Sequence, residues 1–303
     1  MANNIKKIYI GAICNRDIEV LTQIKNFLLK NYNIFIVDLI KPEIKEFDEK
    51  YFLKRIKKYP LSFLILKLTS NPSNELIYNA IEKYASHIPI LNSIDAVKNC
   101  ESRRETFRLI QKKCKKLNTP KSYDSIIEAF EACKNDTQLI IKLDLHNIPE
   151  LPKNDRIVGI AKNEVDFYKL TKNIPANKLF FQEYLGRHDI LYKVYVIGQW
   201  VVCITSQNRL NEFDKLTPLE LIHIRVPLEN RLRKRILRLG KKMGMTIYGL
   251  DYIVKSDGDY IVDVNDFPSF RSIPEAISLI SDHIYNLINI KEIQSKKAVS
   301  VRS

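Results

Sequence analysis

Apolar residues in the first third of the chain fall into strand-length runs, and each run is followed by a stretch with apolar positions at helical spacing. This strand–helix alternation is typical of a small α/β domain built around a parallel sheet. The pattern predicts strands over 8–13, 34–39 and 63–68 and helices over 18–30, 47–59 and 74–85.

Two cationic residues stand at the ends of these predicted strands. Arg16 follows the first strand and Lys67 ends the third. Ligands of parallel α/β sheets bind beyond the carboxyl ends of the strands, so both side chains could point into one crevice. The alternative is an ordinary surface lysine and an arginine at the start of a helix.

The middle of the chain carries one cation inside an apolar strand. The predicted elements here are helices over 95–116, 126–133 and 165–170, strands over 139–143, 156–162 and 178–185, and a proline-containing loop over 146–155. Lys142 lies within the first of these strands. It occupies either an edge strand or a buried strand where it needs an anionic partner, and a phosphate group would suit.

The last third is expected to form two hairpins and two helices. The predicted elements are a hairpin over 192–198 and 200–205, a basic helix over 231–242, a hairpin over 247–254 and 260–268, and an amphipathic helix over 274–290. The basic helix has apolar residues at helical spacing, so its cations are interpreted as a solvated face. The basic stretch 291–302 is expected to fray.

The second hairpin carries the most informative polar residues of the chain. Asp251 lies on its first strand, and Asp263 and Asn265 lie on its second, joined by an Asp-Gly turn signal. Asp263 and Asn265 are two residues apart and therefore share a strand face. Two carboxylates and an amide that converge across a hairpin can hold a hard cation. The alternative is an aspartate that caps a turn.

Composition and charge narrow the class of protein and its partners. The chain has 303 residues, five cysteines and a net charge of +14. Such a surplus attracts polyanions, but no nucleic-acid-binding module is recognisable. Apolar runs are too short to span a membrane, and the N-terminus does not read as a signal peptide. The odd number of cysteines without a C-x-x-C pair predicts reduced thiols in the cytoplasm.

The order of these parts resembles that of the ATP-grasp kinases and ligases. More narrowly, the chain resembles the inositol-tetrakisphosphate 1-kinase family, also called inositol-trisphosphate 5/6-kinases. Three segments carry this resemblance: 190–198 (ILYKVYVIG), 248–251 (YGLD) and 263–268 (DVNDFP). Asp-x-Asn followed by Phe-Pro is fairly specific for these kinases, whereas Asp-x-Asn alone is common to many ATP-grasp enzymes.

The resemblance implies an α/β protein with the ATP-grasp fold, in which two α+β subdomains enclose the nucleotide. The implied domains are an N-terminal α/β domain on the substrate side over 1–95, a central ATP-grasp subdomain over 96–185, a C-terminal ATP-grasp subdomain with the metal hairpin over 186–290, and a basic tail over 291–303. The implied enzyme is a monomeric kinase that uses magnesium and transfers the gamma-phosphate of ATP to a hydroxyl group of an inositol polyphosphate.

Position by position, the resemblance also implies roles for individual residues. The implied magnesium ligands are Asp251, Asp263 and Asn265. The implied ATP contacts are Arg103, Lys142, Lys193 and the hinge residues Gln182, Glu183, Tyr184 and Leu185. The implied substrate contacts are Arg16, Lys67, His146, Lys193 and Asn265, and Lys193 and Asp263 are the implied catalytic residues.

Three departures from the family pattern affect the expected substrate more than the expected nucleotide. The loop after Lys142 has prolines in place of glycine and only one histidine, His146. A family arginine falls near Ser206 or Gln207, although Arg209 is close by. The family's Phe-Pro-Gly is Phe-Pro-Ser here, with Ser269 in the third position.

Two other classes of function stay open at this point. An ATP-grasp carboxylate–amine ligase would use the same metal hairpin to form an acyl phosphate, and it would release ADP only with an amino acid or peptide. A non-catalytic binder of polyanions or nucleic acid would not need the metal ligands Asp251, Asp263 and Asn265. The basic crevice and the Phe-Pro element count against the ligase, and the intact acidic set counts against the binder.

Overall fold

The computed structural model describes residues 7–41, 46–148, 156–208 and 222–300, and the chain divides into two units. Unit one joins Met1–Ile94 to Phe267–Ser303, and unit two is Asp95–Asp266. The sequence placed residues 186–290 in one subdomain. Here the segment from Phe267 onward belongs to unit one.

Unit one is built on the parallel sheet that the strand–helix alternation predicts. Strands β1 (Ile8–Cys14), β2 (Ile34–Asp38) and β3 (Leu61–Lys67) lie in the order β2-β1-β3, and both strand pairs are parallel. The helices of this unit are α1 (Ile18–Tyr32), α2 (Glu49–Lys58), α3 (Asn74–Ala85) and α9 (Ala276–Ser300).

Helix α9 is longer than the sequence suggested, because it continues to Ser300 where a frayed tail was expected. It packs on α1, where Tyr285 stacks on Tyr32 with ring centroids 4.2 Å apart. The Tyr32 hydroxyl also donates a hydrogen bond to Asp282. These contacts explain why the C-terminal helix belongs to the N-terminal sheet.

Unit two contains two antiparallel sheets, of which the first carries Lys142. Its strands β4 (Ser122–Tyr123), β5 (Leu139–Leu143), β6 (Ile157–Ala161) and β7 (Leu179–Glu183) lie in the order β4-β7-β5-β6. Helices α6 (Ile126–Lys134) and α7 (Glu164–Thr171) accompany this sheet. Lys142 therefore lies on an internal strand, and the alternative of an edge-strand lysine is wrong.

The basic segment 95–116 is two helices and not the single helix expected. Helix α4 (Ile94–Glu101) ends before Ser102, and α5 (Arg103–Lys113) begins after it. The Ser102 hydroxyl accepts a hydrogen bond from the Glu105 backbone amide at 3.2 Å, which caps α5. It also donates to Asp144 Oδ2 at 2.8 Å. The serine thus starts a new helix, because its side chain accepts a hydrogen bond from a backbone amide that has no partner within the first turn.

The second sheet of unit two carries the acidic hairpin. Strands β8 (Ile190–Ile197), β9 (Trp200–Gln207), β10 (Arg225–Val226), β11 (Ile247–Lys255) and β12 (Gly258–Asp266) lie in the order β10-β9-β8-β11-β12. Helix α8 (Asn230–Met243) packs with α5 against one face of this sheet, and the two helices and the sheet share one hydrophobic core. The predicted loop residues 149–155, the candidate Arg209 and the last three residues of the tail lie outside the described residues.

A β-bulge in the β11–β12 hairpin decides which residues face that core. Asp251 pairs with Asp263, but Tyr252 pairs with Ile261, so Val262 is an extra residue on β12. Residues paired across an antiparallel ladder share a face, and successive residues alternate faces. Tyr252 and Ile261 pack into the core. Asp251 and Asp263 therefore lie on the opposite face of the sheet, away from this hydrophobic core.

None of the helices among the described residues has the length and apolar character that a membrane span requires.

The close contact of α8 with β11 yields a stability prediction for Gly240→Ala. An added Cβ at Gly240 would lie 2.5 Å from the ring of Tyr248. That ring is buried, and its hydroxyl donates to the Ile236 carbonyl at 2.7 Å, so it cannot swing away freely. Alanine gains about 1 kcal/mol of helix propensity over glycine, whereas overpacking costs roughly 1–3 kcal/mol.

We therefore expect Gly240→Ala to lower the free energy of unfolding in urea, while Lys241→Ala on the exposed side of the same helix leaves it nearly unchanged. A Gly240→Ala protein as stable as the wild type would contradict this account of the packing.

Candidate functional site

Three neighbouring strands of the second sheet bring Lys193, Asp251 and Asp263 together on one face. Asp251 on β11 pairs with Lys193 on β8 on one side and with Asp263 on β12 on the other. The Lys193 ammonium lies 2.8 Å from Asp251 Oδ2. Asn265 donates from Nδ2 to Asp263 Oδ2 at 3.1 Å, which confirms that the two side chains share a face.

Asp263 is also approached by cationic and polar groups from other elements of unit two. The Nε2 atom of His146 lies 3.0 Å from Asp263 Oδ1, and Arg103 Nε lies 3.5 Å from the same oxygen. Neither contact has the alignment of a hydrogen bond, so Oδ1 has no hydrogen-bond donor among the described residues. Arg103 is otherwise bound to the carbonyl oxygens of Leu143 and Leu145 at 2.5 and 3.0 Å.

The surroundings of Asp263 keep its carboxylate ionised. Burial alone would raise the pKa of Asp263, but His146, Arg103 and Lys142 together lower it well below the usual aspartate range. Burial also lowers the pKa of His146 despite the nearby carboxylate, so the imidazole is neutral near neutral pH. The positive charge beside Asp263 therefore comes from Arg103 and Lys142, while His146 presents a dipole.

The negative charge of Asp251 is less well compensated by nearby cations than that of Asp263. Burial raises its pKa, the Asp263 charge raises it further, and the nearby Lys193 offsets only part of this. The pKa of Lys193 is raised in turn, because Asp251 outweighs the burial that opposes its charge. The two facing carboxylates therefore repel each other, and a bound cation would relieve that repulsion.

The donor set on this face fits a hard divalent cation. The side chains of Asp251 and Asp263 are 20% and 23% exposed, so each is accessible at one edge. Asp263 Oδ1 is a buried acceptor with no donor among the described residues, and the Asn265 amide can add a neutral oxygen. Groups of three or more metal-binding His, Cys, Asp or Glu side chains do not occur in the described ranges. The fit thus rests on two carboxylates and one amide.

Lys142 connects the two sheets of unit two. Its ammonium group donates to Gln182 Oε1 at 3.1 Å and to the carbonyl oxygen of the bulged Val262 at 3.0 Å. Burial lowers the pKa of Lys142 to about 8, and Arg103 adds to this effect, while Asp263 opposes it. The positive charge of Lys142 is only partly compensated at this buried position, so an anionic ligand beside it would stabilise the charged form.

The predicted hinge residues lie at the end of β7 and just beyond it. The Gln182 side chain is buried against Lys142. The backbone amides of Glu183 and Tyr184 donate to the carbonyl oxygens of Lys121 and Gln138, both at 2.8 Å. These two backbone amides are therefore already used within the protein and are not available to a ligand.

The structure gives Lys67 and His146 surroundings that differ from those of substrate contacts. Lys67 is 1% exposed and donates to the carbonyl oxygens of Phe267 and Pro268 at 2.5 and 3.2 Å. It also pairs with Asp17 Oδ2 at 3.2 Å. His146 is fully buried beside Asp263. Both side chains are therefore enclosed by other protein groups. Lys67 is covered by Asp17 and the segment 267–268, and His146 has Asp263 beside it.

Sequence reasoning missed the polar cluster around Lys67 in unit one. Asp17 contacts both Lys67 and Arg271, and Arg271 also pairs with Glu19. Burial favours a higher pKa for Asp17, but Lys67, Arg16 and Arg271 lower it overall. Arg16 therefore lies near this cluster. The sequence signal was weak, because these residues come from opposite ends of the chain.

Backbone strain marks the same cluster. Asp17, Phe267 and Phe270 have φ angles of 48°, 37° and 57°, in the left-handed region that residues other than glycine rarely adopt. The Lys67 ammonium lies 4.6 Å from the centre of the Phe267 ring and holds the carbonyl groups of this strained segment. Lys67 therefore secures the polypeptide where it enters unit one from β12.

This role predicts a large stability loss for Lys67→Met. The substitution leaves Asp17 and two carbonyl groups without their buried cation, and breaking such a pair costs about 3–5 kcal/mol. Lys25→Met is the matched control, because Lys25 pairs with Asp38 at 3.3 Å but is 43% exposed. Its loss should be about 0–1 kcal/mol. Urea unfolding of both variants measures the difference, and equal losses would remove Lys67 from its structural role.

Comparison with known proteins supports the resemblance seen in the sequence. The chain is 19% identical to the inositol-tetrakisphosphate 1-kinase of Xenopus laevis, over 79% of this chain and 70% of that protein. It is 22% identical to inositol-tetrakisphosphate 1-kinase 2 of Oryza sativa subsp. indica, over 77% and 74% of the two chains. No protein-family model matches the chain.

Solved structures identify the fold. The D-alanine–D-alanine ligase of Bacillus anthracis matches with a TM-score of 0.65 and 14% identity, over 96% of this chain and 99% of that one. An ATP-grasp ligase of Chryseobacterium gregarium, solved with ADP and peptides, matches with a TM-score of 0.65 and 14% identity, over 94% and 97% of the two chains. The chain therefore has the predicted ATP-grasp fold, and its sequence is similar to those of inositol-tetrakisphosphate 1-kinases.

Proposed function

We propose that the protein is an ATP- and magnesium-dependent kinase that transfers the gamma-phosphate of ATP to a hydroxyl group of an inositol polyphosphate. The observation that carries the proposal is the facing pair Asp251 and Asp263, flanked on the same sheet face by Lys193 and Asn265. The similarity to inositol-tetrakisphosphate 1-kinases supports the acceptor class. A net charge of +14 is compatible with an acceptor that carries several phosphates.

Asp251, Asp263 and Asn265 are the residues proposed to hold magnesium. A magnesium ion held by these residues would supply positive charge that stabilises the negative charge developing during phosphoryl transfer. Arg103 and His146 contact Asp263 from the protein side. We assign them the role of positioning that carboxylate, in place of the direct nucleotide and substrate contacts that the resemblance implied for them.

Two lysines are proposed to carry positive charge toward the transferred phosphate. Lys142 presents a buried ammonium group beside Val262, next to the metal hairpin, and we propose that it binds ATP phosphates. Lys193 is partly exposed on the sheet face that carries Asp251 and Asp263, which we call the acidic face, and we propose that it contacts both nucleotide and acceptor. Phosphoryl transfer depends mainly on such positioning and charge stabilisation. Residues 182–185 are proposed to contact the adenine ring of ATP.

The acceptor contacts rest on the resemblance and on exposure. Asn265 and Lys193 remain proposed contacts because they lie on the accessible face of unit two, and Arg16 remains one on unit one. Lys67 is not retained, because its ammonium group is enclosed by Asp17, Phe267 and Pro268. The five cysteines are buried, and none of them forms a disulfide bond within the described residues. This is compatible with our proposal of a monomeric cytoplasmic enzyme.

A substrate panel separates this proposal from the ATP-grasp ligase alternative. The wild-type protein is incubated with ATP and magnesium, together with either a series of inositol phosphates or a series of amino acids and short peptides. We expect ADP formation only with an inositol phosphate, and a new phosphorylated product by mass spectrometry. ADP formation that depends on an amino acid or peptide would identify a ligase, because that class activates a carboxylate.

The metal assignment predicts the effect of Asp263→Asn. An amide cannot supply the negative charge with which the Asp263 carboxylate would hold magnesium, so the rate of phosphoryl transfer should fall about a thousandfold or more. Asp257→Asn on the exposed turn of the same hairpin is the control and should keep wild-type activity. Circular dichroism and urea unfolding establish that both variants fold. A folded Asp263→Asn protein with full activity would rule out the metal assignment.

A further inference from the structure

A basic pocket lies in unit two, between the C-terminal end of α5 and one side of α8. Its cavity has a volume of about 300 Å³, which is at the small end of the range for ligand pockets. Seven of its nine lining residues are cationic: four lysines within 112–116, and Arg235, Arg238 and Lys242 on α8. Cys114 and Leu117 form the apolar part of the lining.

The described residues place no carboxylate in an ion pair with the cations of this pocket. In the described part of the chain, none of the seven takes part in an ion pair. Arg235 is close enough to lower the pKa of Asp259, although burial and Glu229 raise that pKa overall. Seven like charges around one cavity repel each other, and an anionic ligand would remove that repulsion. The pocket is therefore electrostatically incomplete without a ligand.

A hydrogen bond between the two helical elements gives the pocket a fixed wall. The Lys242 ammonium donates to the carbonyl oxygen of Lys113, in the last turn of α5. Cys114 and Leu117 are buried in the same hydrophobic core as Ile236 and Leu239 of α8. The segments that carry the cations are thus held in place by this hydrophobic core, while most of the charged groups remain exposed.

This pocket is separate from the metal site described above. Its floor residues Cys114 and Leu117 belong to the core that also contains Tyr252 and Ile261. The bulge at Val262 places Asp263 on the other face of the same sheet. The basic pocket and the acidic face therefore lie on opposite sides of the β8–β12 sheet.

We propose that this pocket binds a compact small molecule that carries several phosphate groups. The cavity is partly open to solvent, so a compact ligand can enter it, and the lysine and arginine side chains around it can donate charge-assisted hydrogen bonds to phosphate oxygens. None of the nine lining residues is aromatic, whereas single-stranded nucleic acid is usually held by stacking on aromatic rings. Membrane binding by an amphipathic helix needs exposed apolar side chains beside the cations, and the apolar lining residues here are buried.

The proposal does not depend on the kinase reaction, because none of the lining residues belongs to the proposed metal, nucleotide or acceptor site. Inorganic tripolyphosphate is a suitable probe, since it is compact and strongly anionic. The pocket variant is Lys115→Gln/Arg238→Gln. The control, Lys234→Gln/Lys241→Gln, removes the same charge from exposed positions of α8 that do not line the pocket.

The test is calorimetric titration of the full chain and both variants with tripolyphosphate, without magnesium and at low and high salt. Loss of two charged donors should weaken binding about tenfold to a hundredfold in the pocket variant, and the control should change about twofold or less. The difference should shrink as salt rises. Hydrogen exchange should show protection of 112–117 and 235–242 in the wild type.

Equal weakening in the two variants, or no protection of these two segments, would overturn the proposal. A short single-stranded RNA and phosphatidylserine vesicles are tested with the same proteins. If the pocket variant loses binding to either of these but keeps its affinity for tripolyphosphate, the small-molecule assignment is wrong.

Discussion

The repulsion between two partly buried carboxylates governs the arrangement of unit two. Asp251 and Asp263 face each other across adjacent strands, and burial makes their charges costly. The protein surrounds them with positive charge at different distances. Lys193 pairs with Asp251 on the accessible side, while Arg103 and Lys142 support Asp263 from within. This arrangement keeps Asp263 ionised and leaves one of its oxygens without a hydrogen-bond donor among the described residues.

The bulge at Val262 links this electrostatic arrangement to the fold. If the same residues formed a regular strand with no bulge, Ile261 and Asp263 would lie on one face, since they are two positions apart. The bulge separates them, so that Ile261 enters the core while Asp263 reaches the acidic face. It also turns the Val262 carbonyl toward Lys142, which comes from the other sheet of unit two. One irregular residue thus orients a metal-ligand candidate and joins the two sheets.

The sequence predicted most elements because their periodicity is local, and the parallel sheet of unit one and the acidic hairpin follow from it directly. The sequence does not reveal the break at Ser102, because a serine inside a basic helix does not disturb the periodicity of the apolar residues. The structure shows the break through the hydrogen bond from the Glu105 amide to the Ser102 hydroxyl, which caps a new helix. Lys67 was assigned to a ligand because its position after a strand is visible in the sequence. Its partners Asp17 and Phe267 are brought to it only by the fold.

The proposed function requires the acidic face of unit two to bind a divalent cation together with nucleotide. Electron paramagnetic resonance of Mn²⁺, used in place of Mg²⁺, tests this directly when free Mn²⁺ is titrated with protein and ADP. The account predicts that wild-type protein depletes the free Mn²⁺ signal beyond the depletion by ADP alone, and that Asp251→Asn largely abolishes this effect. The same depletion in wild type and Asp251→Asn, or none beyond that of ADP, would contradict the account.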